Sequence, residues 1–84
     1  MKFDKAERAT IVVAGTHAQF RHWCREHDKN PTRAIFCEPT MRYVRRLRGL
    51  DRDYTDLVLA GTYYENREWP DVRDELRALG LLRY

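Results

Sequence analysis

Residues 11–23 read IVVAGTHAQFRHW, and residues 57–69 read LVLAGTYYENREW. The two stretches match in outline at an offset of 46 residues, since each has an apolar run, then Ala-Gly-Thr, then a polar stretch. An unbroken run of β-branched and aliphatic residues is typical of a strand that is covered on both faces of a sheet. The repeated pattern therefore predicts two parallel strands, each followed by a Gly-Thr turn that leads toward a helix.

The rest of the chain fits around these two strands as a βαβαβα pattern. Six elements are predicted, with strands at about Thr10–Ala14, Arg33–Cys37 and Asp56–Ala60, and helices at about His17–His27, Met41–Arg48 and Pro70–Leu79. Asn30-Pro31 is expected to end the first helical unit, and Gly80 to end the last. The stretch 62–69 is expected to form a loop or a single turn, because proline is best tolerated in the first turn of a helix.

Strand order follows from the connections and from the apolar character of the strands. Strand–helix–strand connections of this length give parallel strands with right-handed crossovers. The two Ala-Gly-Thr strands are the most apolar pair, which favours placing them side by side with Arg33–Cys37 at an edge. We predict one α/β domain with a three-stranded parallel sheet of order 2-1-3, a Rossmann- or flavodoxin-like half, with 3-2-1 as the alternative. Residues 1–9 form a polar lead-in, and residues 81–84 form an apolar tail.

The two Gly-Thr turns also carry helix-capping patterns and a candidate ligand crevice. Thr16 with Gln19, and Thr62 with Glu65, have the spacing of a capping box. In the 2-1-3 order a switch point lies between the first and third strands, where ligands of open α/β sheets bind. Glycines permit close backbone approach there, and a helix N-terminus attracts anions, although a Gly-Thr turn can also be purely architectural. The candidate crevice residues are Gly15, Thr16, His17, Gly61, Thr62, Tyr63, Tyr64 and Glu65.

Nucleotide-binding and catalytic motifs are missing from these turns. A single glycine, Gly15, follows the first strand, so neither G-x-G-x-x-G nor the P-loop pattern is present. His17 near hydroxyls and a carboxylate is chemically usable, but no spacing matches a nucleophile motif such as G-x-S-x-G. We therefore expect no catalytic residues, no cofactor and a non-enzymatic role.

The missing export signal indicates how the two cysteines should be interpreted. The N-terminus has no apolar signal segment, and no apolar run approaches the length of a membrane span. We therefore expect a cytoplasmic protein with reduced thiols at Cys24 and Cys37. Cys24 and His27 fall on one helical face with Phe20 and Trp23. Because a structural zinc site needs four ligands, we expect this face to pack against the sheet and to bind no metal.

Charge and aromatic residues suggest binding surfaces. The net charge is +3, and residues 29–52 hold seven basic and two acidic groups, which gives +5 for that segment. Such a segment attracts phosphate backbones or acidic protein faces, including the acidic last third of a second copy. Its exposed cations are expected at Arg42, Arg45, Arg46 and Arg48. Tyrosine and tryptophan are enriched at interface hot spots. The interface candidates are Trp69, Tyr84 and the apolar tail residue Leu82.

The phrases IVVAGTHAQF and LVLAGTYYEN, followed by EWPDVRDELRALG, resemble a family of small Rossmann-like proteins of actinobacterial bacteriophages, mycobacteriophages above all. The resemblance covers residues 10–80, and the excess of arginine over lysine, 13 to 3, agrees with such a source. It implies a phage accessory protein in the bacterial host cytoplasm that binds a host component, and it transfers no catalytic residue.

We therefore expect a non-enzymatic protein that acts by protein–protein interaction, forms a homo-oligomer and binds a host protein. One alternative is a nucleotide or small-anion binder at the Thr16/Thr62 crevice. A second alternative is a nucleic-acid binder that uses the basic second helix. No membrane partner is expected.

Overall fold

The computed structural model describes residues 9–50 and 52–82, which form a three-stranded sheet with helices on both faces. The strands are β1 (Ala9–Ala14), β2 (Ala34–Cys37) and β3 (Thr55–Ala60). The helices are α1 (His17–Glu26), α2 (Met41–Val44) and α3 (Trp69–Ala78). Short 3-10 segments occupy Arg45–Leu47, Arg52–Tyr54 and Tyr63–Glu65.

The sheet is parallel throughout and has the order β2-β1-β3. β1 is central, and its last four residues, IVVA at 11–14, are fully buried. The predicted fold and order 2-1-3 are therefore confirmed, as is the edge position of the least apolar strand. A strand that is covered on both faces has no side exposed to water, which is why apolar and polar residues do not alternate along this run.

The two faces of the sheet carry cores of unequal size. Alternate residues of β1 point to opposite faces, so Ile11 and Val13 belong to one core, and Val12 and Ala14 belong to the other. The larger core lies under α2 and α3 and contains Ile11, Val13, Cys37, Val44, Leu47, Val72, Leu76, Leu81 and Leu82. The smaller core lies under α1 and contains Val12, Ala14, Phe20 and Cys24.

The end of α1 agrees with its prediction to within one residue, but the residues that close the helix differ from those expected. The helix ends at Glu26, and Asp28 adopts a left-handed backbone with φ of 54°. The Lys29 N–H then bonds to the carbonyl oxygen of Cys24 at 2.8 Å, which closes the helix. His27 is exposed instead of facing the sheet. Asn30 was expected to cap this helix but heads the next turn, where its side chain accepts a hydrogen bond from the Thr32 N–H at 3.0 Å.

Replacing Asp28 with glycine should raise the free energy of unfolding by about 0.5 kcal/mol, because glycine adopts this left-handed conformation without a Cβ clash. Asp28→Ala is the matched control, since it removes the same carboxylate but keeps the Cβ. Urea unfolding followed by circular dichroism measures both variants. A gain of equal size in Asp28→Ala would assign the effect to charge and contradict the backbone explanation.

The second helix is shorter than the predicted range of Met41–Arg48. Four residues are α-helical and three more continue as a 3-10 turn, which buries both Val44 and Leu47 in the larger core. α3 agrees with its prediction to within one residue, and Gly80 ends it with φ of 78°. No helix in the described part of the chain is long and apolar enough to cross a membrane.

Candidate functional site

The carboxyl ends of β1 and β3 bring the two Ala-Gly-Thr turns together. Ala14 pairs with Ala60 in the parallel register, so the Gly-Thr turns that follow them leave the sheet side by side. After these turns α1 packs against the smaller core and α3 packs against the larger core, which makes this edge the switch point of the sheet. The juxtaposition that the sequence predicted is therefore present.

The side chain of Gln19, in the first turn of α1, lies between the two turns. Its Oε1 accepts hydrogen bonds from the N–H groups of Gly15 (3.0 Å) and Thr62 (3.1 Å), and its Nε2 donates to the Thr62 hydroxyl (3.0 Å). These bonds fix the orientation of the amide, because only its carbonyl oxygen can accept from two N–H groups. We call this arrangement the Gln19 bridge; it joins residues 43 positions apart in the chain.

The Gln19 bridge explains why both turns contain glycine. A Cβ on Gly15 would lie 2.5 Å from the Thr62 hydroxyl oxygen and 2.8 Å from the Gln19 Oε1. A Cβ on Gly61 would overlap the Gln19 carboxamide, and Gly61 also has a left-handed backbone with φ of 64°. The close approach that these glycines permit is thus made by a side chain of the same molecule.

Several backbone donors at this crevice are already bound. The Gly15 and Thr62 N–H groups bond to Gln19, and the Gln19 N–H bonds to the Thr16 hydroxyl at 3.1 Å. The N-cap predicted at Thr16 is therefore confirmed. A nucleotide or small anion at the Thr16/Thr62 crevice stays a prediction, and it would use the remaining N–H groups at the start of α1.

The cap predicted at Thr62 is wrong. Its side chain makes no bond to the following turn, because the hydroxyl is bonded to Gln19. Tyr63 begins a single 3-10 turn, and its ring packs against Trp69 at 4.9 Å between centroids. Tyr64 and Glu65 are exposed, with 57% of Tyr64 open to solvent.

The His17 ring contacts aromatic side chains. Its centroid lies 5.4 Å from the Phe20 ring centroid and 5.2 Å from the Phe36 ring centroid, and the Phe36 and Tyr43 centroids are 6.2 Å apart. Among the described residues His17 has no hydrogen-bond partner, so it forms no nucleophile–base pair with Thr16 or Thr62. We call His17, Phe36 and Tyr43 the aromatic strip; it connects the start of α1 with α2 beside the edge strand β2.

The four predicted cations of the second helix are all exposed. They are Arg42, Arg45, Arg46 and Arg48, and we call them the basic surface. Arg48 donates from Nε and Nη2 to one oxygen of Glu75, at 3.2 and 3.1 Å. Arg46 lies 5.4 Å above the Tyr43 ring in a cation–π contact. Arg42 and Arg45 have no acidic partner in the described part of the chain.

An apolar groove lies between α1 and the end of β3. It has a volume of about 320 Å³. We call it the β3 groove, and it is lined by Ala18, Gln19, His22, Trp23, Glu26, Ala60 and Gly61. At its rim His22 and Glu26 form an ion pair at 3.2 Å when the imidazole is protonated. Among residues 9–50 and 52–82, α1 is the one helix on this face of the three-stranded sheet, which leaves the groove beside it.

The two cysteines are free and lie on opposite faces of the sheet, Cys24 in the smaller core and Cys37 in the larger. Burial raises the pKa of Cys24, and burial together with the nearby Glu38 carboxylate raises the pKa of Cys37 to about 12. Both thiols are therefore protonated at neutral pH and are poor nucleophiles. Within residues 9–50 and 52–82, no group of three or more His, Cys, Asp or Glu side chains could hold a metal ion.

The interface candidates of the last third have different positions. Trp69 is half-buried against Tyr63 and the larger core. Leu82 is 6% exposed and belongs to the larger core, so in this fold it is a core residue and is not presented to a partner. Tyr84 lies outside the described residues.

Sequence reasoning missed the two features that define this edge of the molecule. Gln19 was identified as half of a capping box, but its partner Thr62 becomes visible only once β1 and β3 are neighbours. No sequence motif marks the β3 groove. The order of elements gave one indirect signal, since it places α1 on one face of the sheet and α2 and α3 on the other. No known protein family, curated protein or solved structure matches this chain.

Proposed function

We propose that this chain is a non-enzymatic binding protein, a phage accessory protein that acts by protein–protein contact in the host cytoplasm. Its first partner is a second copy of itself, and the contact surface is the β3 groove with the outer edge of β3. The observation that carries the proposal is the position of the groove beside a sheet edge that no strand of the described chain covers.

The contrast between the switch point and the lining of the β3 groove supports a protein partner. At the switch point the Gln19 bridge already uses two of the backbone donors that a small polar ligand could bind, the N–H groups of Gly15 and Thr62. Along the groove, by contrast, Ala18, Trp23 and Ala60 present apolar surface with few polar groups. Apolar surface rimmed by polar residues is typical of protein-interaction sites, and tryptophan is enriched among the residues that dominate binding energy.

A second copy fits this surface by two-fold symmetry. Antiparallel pairing of two β3 edges would give a continuous six-stranded sheet and would add a neighbouring strand at an edge that no strand of the described residues covers. The two α1 helices, each centred over β1, would then lie about 14 Å apart, which is three inter-strand spacings. Directly packed helices lie about 8–10 Å apart, so the larger gap accommodates the two Trp23 side chains.

Ala18→Arg tests the proposal, because Ala18 is exposed on α1 and lines the groove. Arginine is a good helix former, so the fold should persist while the groove is blocked. Light scattering at high protein concentration should give a dimer for the wild type and a monomer for Ala18→Arg. Ala78→Arg is the matched control, since it makes the same change at an exposed position of α3, and it should remain dimeric.

A monomeric wild-type protein at high concentration would contradict self-association. A dimer that survives in Ala18→Arg would place the interface elsewhere. Capture from host lysate with the same three proteins then tests a host partner. A host protein retained by wild type and Ala78→Arg but lost with Ala18→Arg would support binding at the same groove.

A further inference from the structure

We infer that the basic surface and the aromatic strip together bind single-stranded nucleic acid. This surface lies beside β2, the opposite edge of the sheet from the β3 groove, so the inference does not depend on the proposed function. It rests on uncompensated charge and on the arrangement of aromatic rings next to that charge.

The charge is concentrated and largely unpaired. Arg42 has Arg45 three residues away and Arg46 four residues away, spacings that bring side chains together on one face of a helix. Like charges at these spacings repel, and no carboxylate of the described chain pairs with these three side chains. Arg48 differs, because Glu75 neutralises it at 3.1 Å. A set of adjacent cations without internal partners is suited to a polyanion.

The aromatic strip continues directly from these cations. The Arg46 guanidinium lies over Tyr43, the Tyr43 ring contacts Phe36, and the Phe36 ring contacts His17. Tyr43 and Phe36 are half-buried at the margins of the two cores, and His17 is exposed. Proteins that bind single strands combine a positive track for the backbone with aromatic rings on which bases stack. An acidic protein would use the cations but would have no need of the rings.

Single strands fit this surface better than a duplex. A recognition helix enters the major groove of DNA along several turns, whereas α2 has four residues before it tightens into a 3-10 turn. Bases within a duplex are also stacked on one another, so they cannot stack on side chains.

Fluorescence anisotropy with a labelled oligothymidine of about 12 nucleotides, measured over a series of salt concentrations, tests the inference. The test variant combines Arg42→Gln, Arg45→Gln and Arg46→Gln. The control variant combines Arg21→Gln, Arg25→Gln and Arg67→Gln, three exposed arginines elsewhere on the protein, and it loses the same net charge. We expect at least tenfold weaker binding for the test variant, and a salt slope about 2 units shallower, since each phosphate contact contributes about 0.7.

Tyr43→Leu separates stacking from charge. It should weaken oligothymidine binding at least about fivefold while the salt slope stays unchanged, and Tyr43→Phe should retain binding. Equal losses of oligothymidine affinity in the two triple variants would overturn the inference. Wild-type affinity in the Tyr43→Leu variant would overturn it as well. A labelled oligoglutamate or a DNA duplex that binds as tightly as oligothymidine would also overturn it and would assign the surface to general anion attraction.

Discussion

Gly61→Ala is expected to lower the free energy of unfolding by about 3 kcal/mol. The left-handed backbone at φ of 64° accounts for about 1 kcal/mol of this. The rest arises because the new Cβ would displace the Gln19 carboxamide, which leaves two part-buried N–H groups without their acceptor, at about 1 kcal/mol or more each. Urea unfolding followed by tryptophan fluorescence measures the loss.

Gly49→Ala is the matched control for this substitution. A Cβ at Gly49 would meet no atom within 4 Å, and its backbone is not left-handed, so stability should stay within about 0.5 kcal/mol of the wild type. In a Gln19→Ala background, Gly61→Ala should cost only about 1 kcal/mol, because the carboxamide that the new Cβ would displace is absent and only a close contact of 3.0 Å with the Cβ of residue 19 remains. Equal costs in the two backgrounds would show that Gln19 is not the cause.

Leu76→Ala is expected to cost about 3 kcal/mol, since Leu76 is fully buried in the larger core and its truncation leaves a cavity. For a domain of this size the melting temperature should fall by more than about 12 °C. Differential scanning calorimetry measures the shift. The total stability of an 84-residue domain is about 4–13 kcal/mol, so this single change removes a large part of it.

Leu79→Ala makes the same truncation in the same helix at a half-buried position. It should cost about 1 kcal/mol, because less apolar surface returns to water and no closed cavity forms. A similar cost for both substitutions would mean that the larger core is loosely packed around α3.

The fold could be predicted because its strongest signals are local. The apolar run Ile11–Ala14 is too short for a buried helix and is followed by Gly-Thr, so it indicates a buried strand. The order 2-1-3 followed from the weaker apolar character of β2, which is also the shortest strand. The end of α2 could not be predicted, because it depends on a tertiary contact, the burial of Leu47 in the larger core. The end of α1 was predicted to within one residue, because the bond from the Lys29 N–H to the Cys24 carbonyl oxygen that closes it is local.

The candidate site was predicted in position but not in content. Strand order alone places Gly15 beside Gly61, and glycine indicates close approach without revealing what approaches. A capping pattern is local, so it named Thr16 correctly and Thr62 incorrectly, since the Thr62 hydroxyl is bonded 43 residues away. The aromatic strip could not be predicted, because its three rings come from three different elements. No sequence motif marks Phe36, the residue in β2 that joins the other two.

The unequal cores lead us to expect unequal local stability on the two faces of the sheet. Four buried residues hold α1 to the sheet, whereas nine buried residues lie on the opposite face. We therefore expect a partly unfolded state in which α1 has detached to lie below global unfolding in free energy, and amide hydrogens of α1 to exchange through it. Because the Gln19 bridge joins α1 to the turn after β3, its rupture and this opening are one event. A second copy seated in the β3 groove would close the same state, so under the proposed self-association the exchange of α1 amide hydrogens should slow as the protein concentration rises.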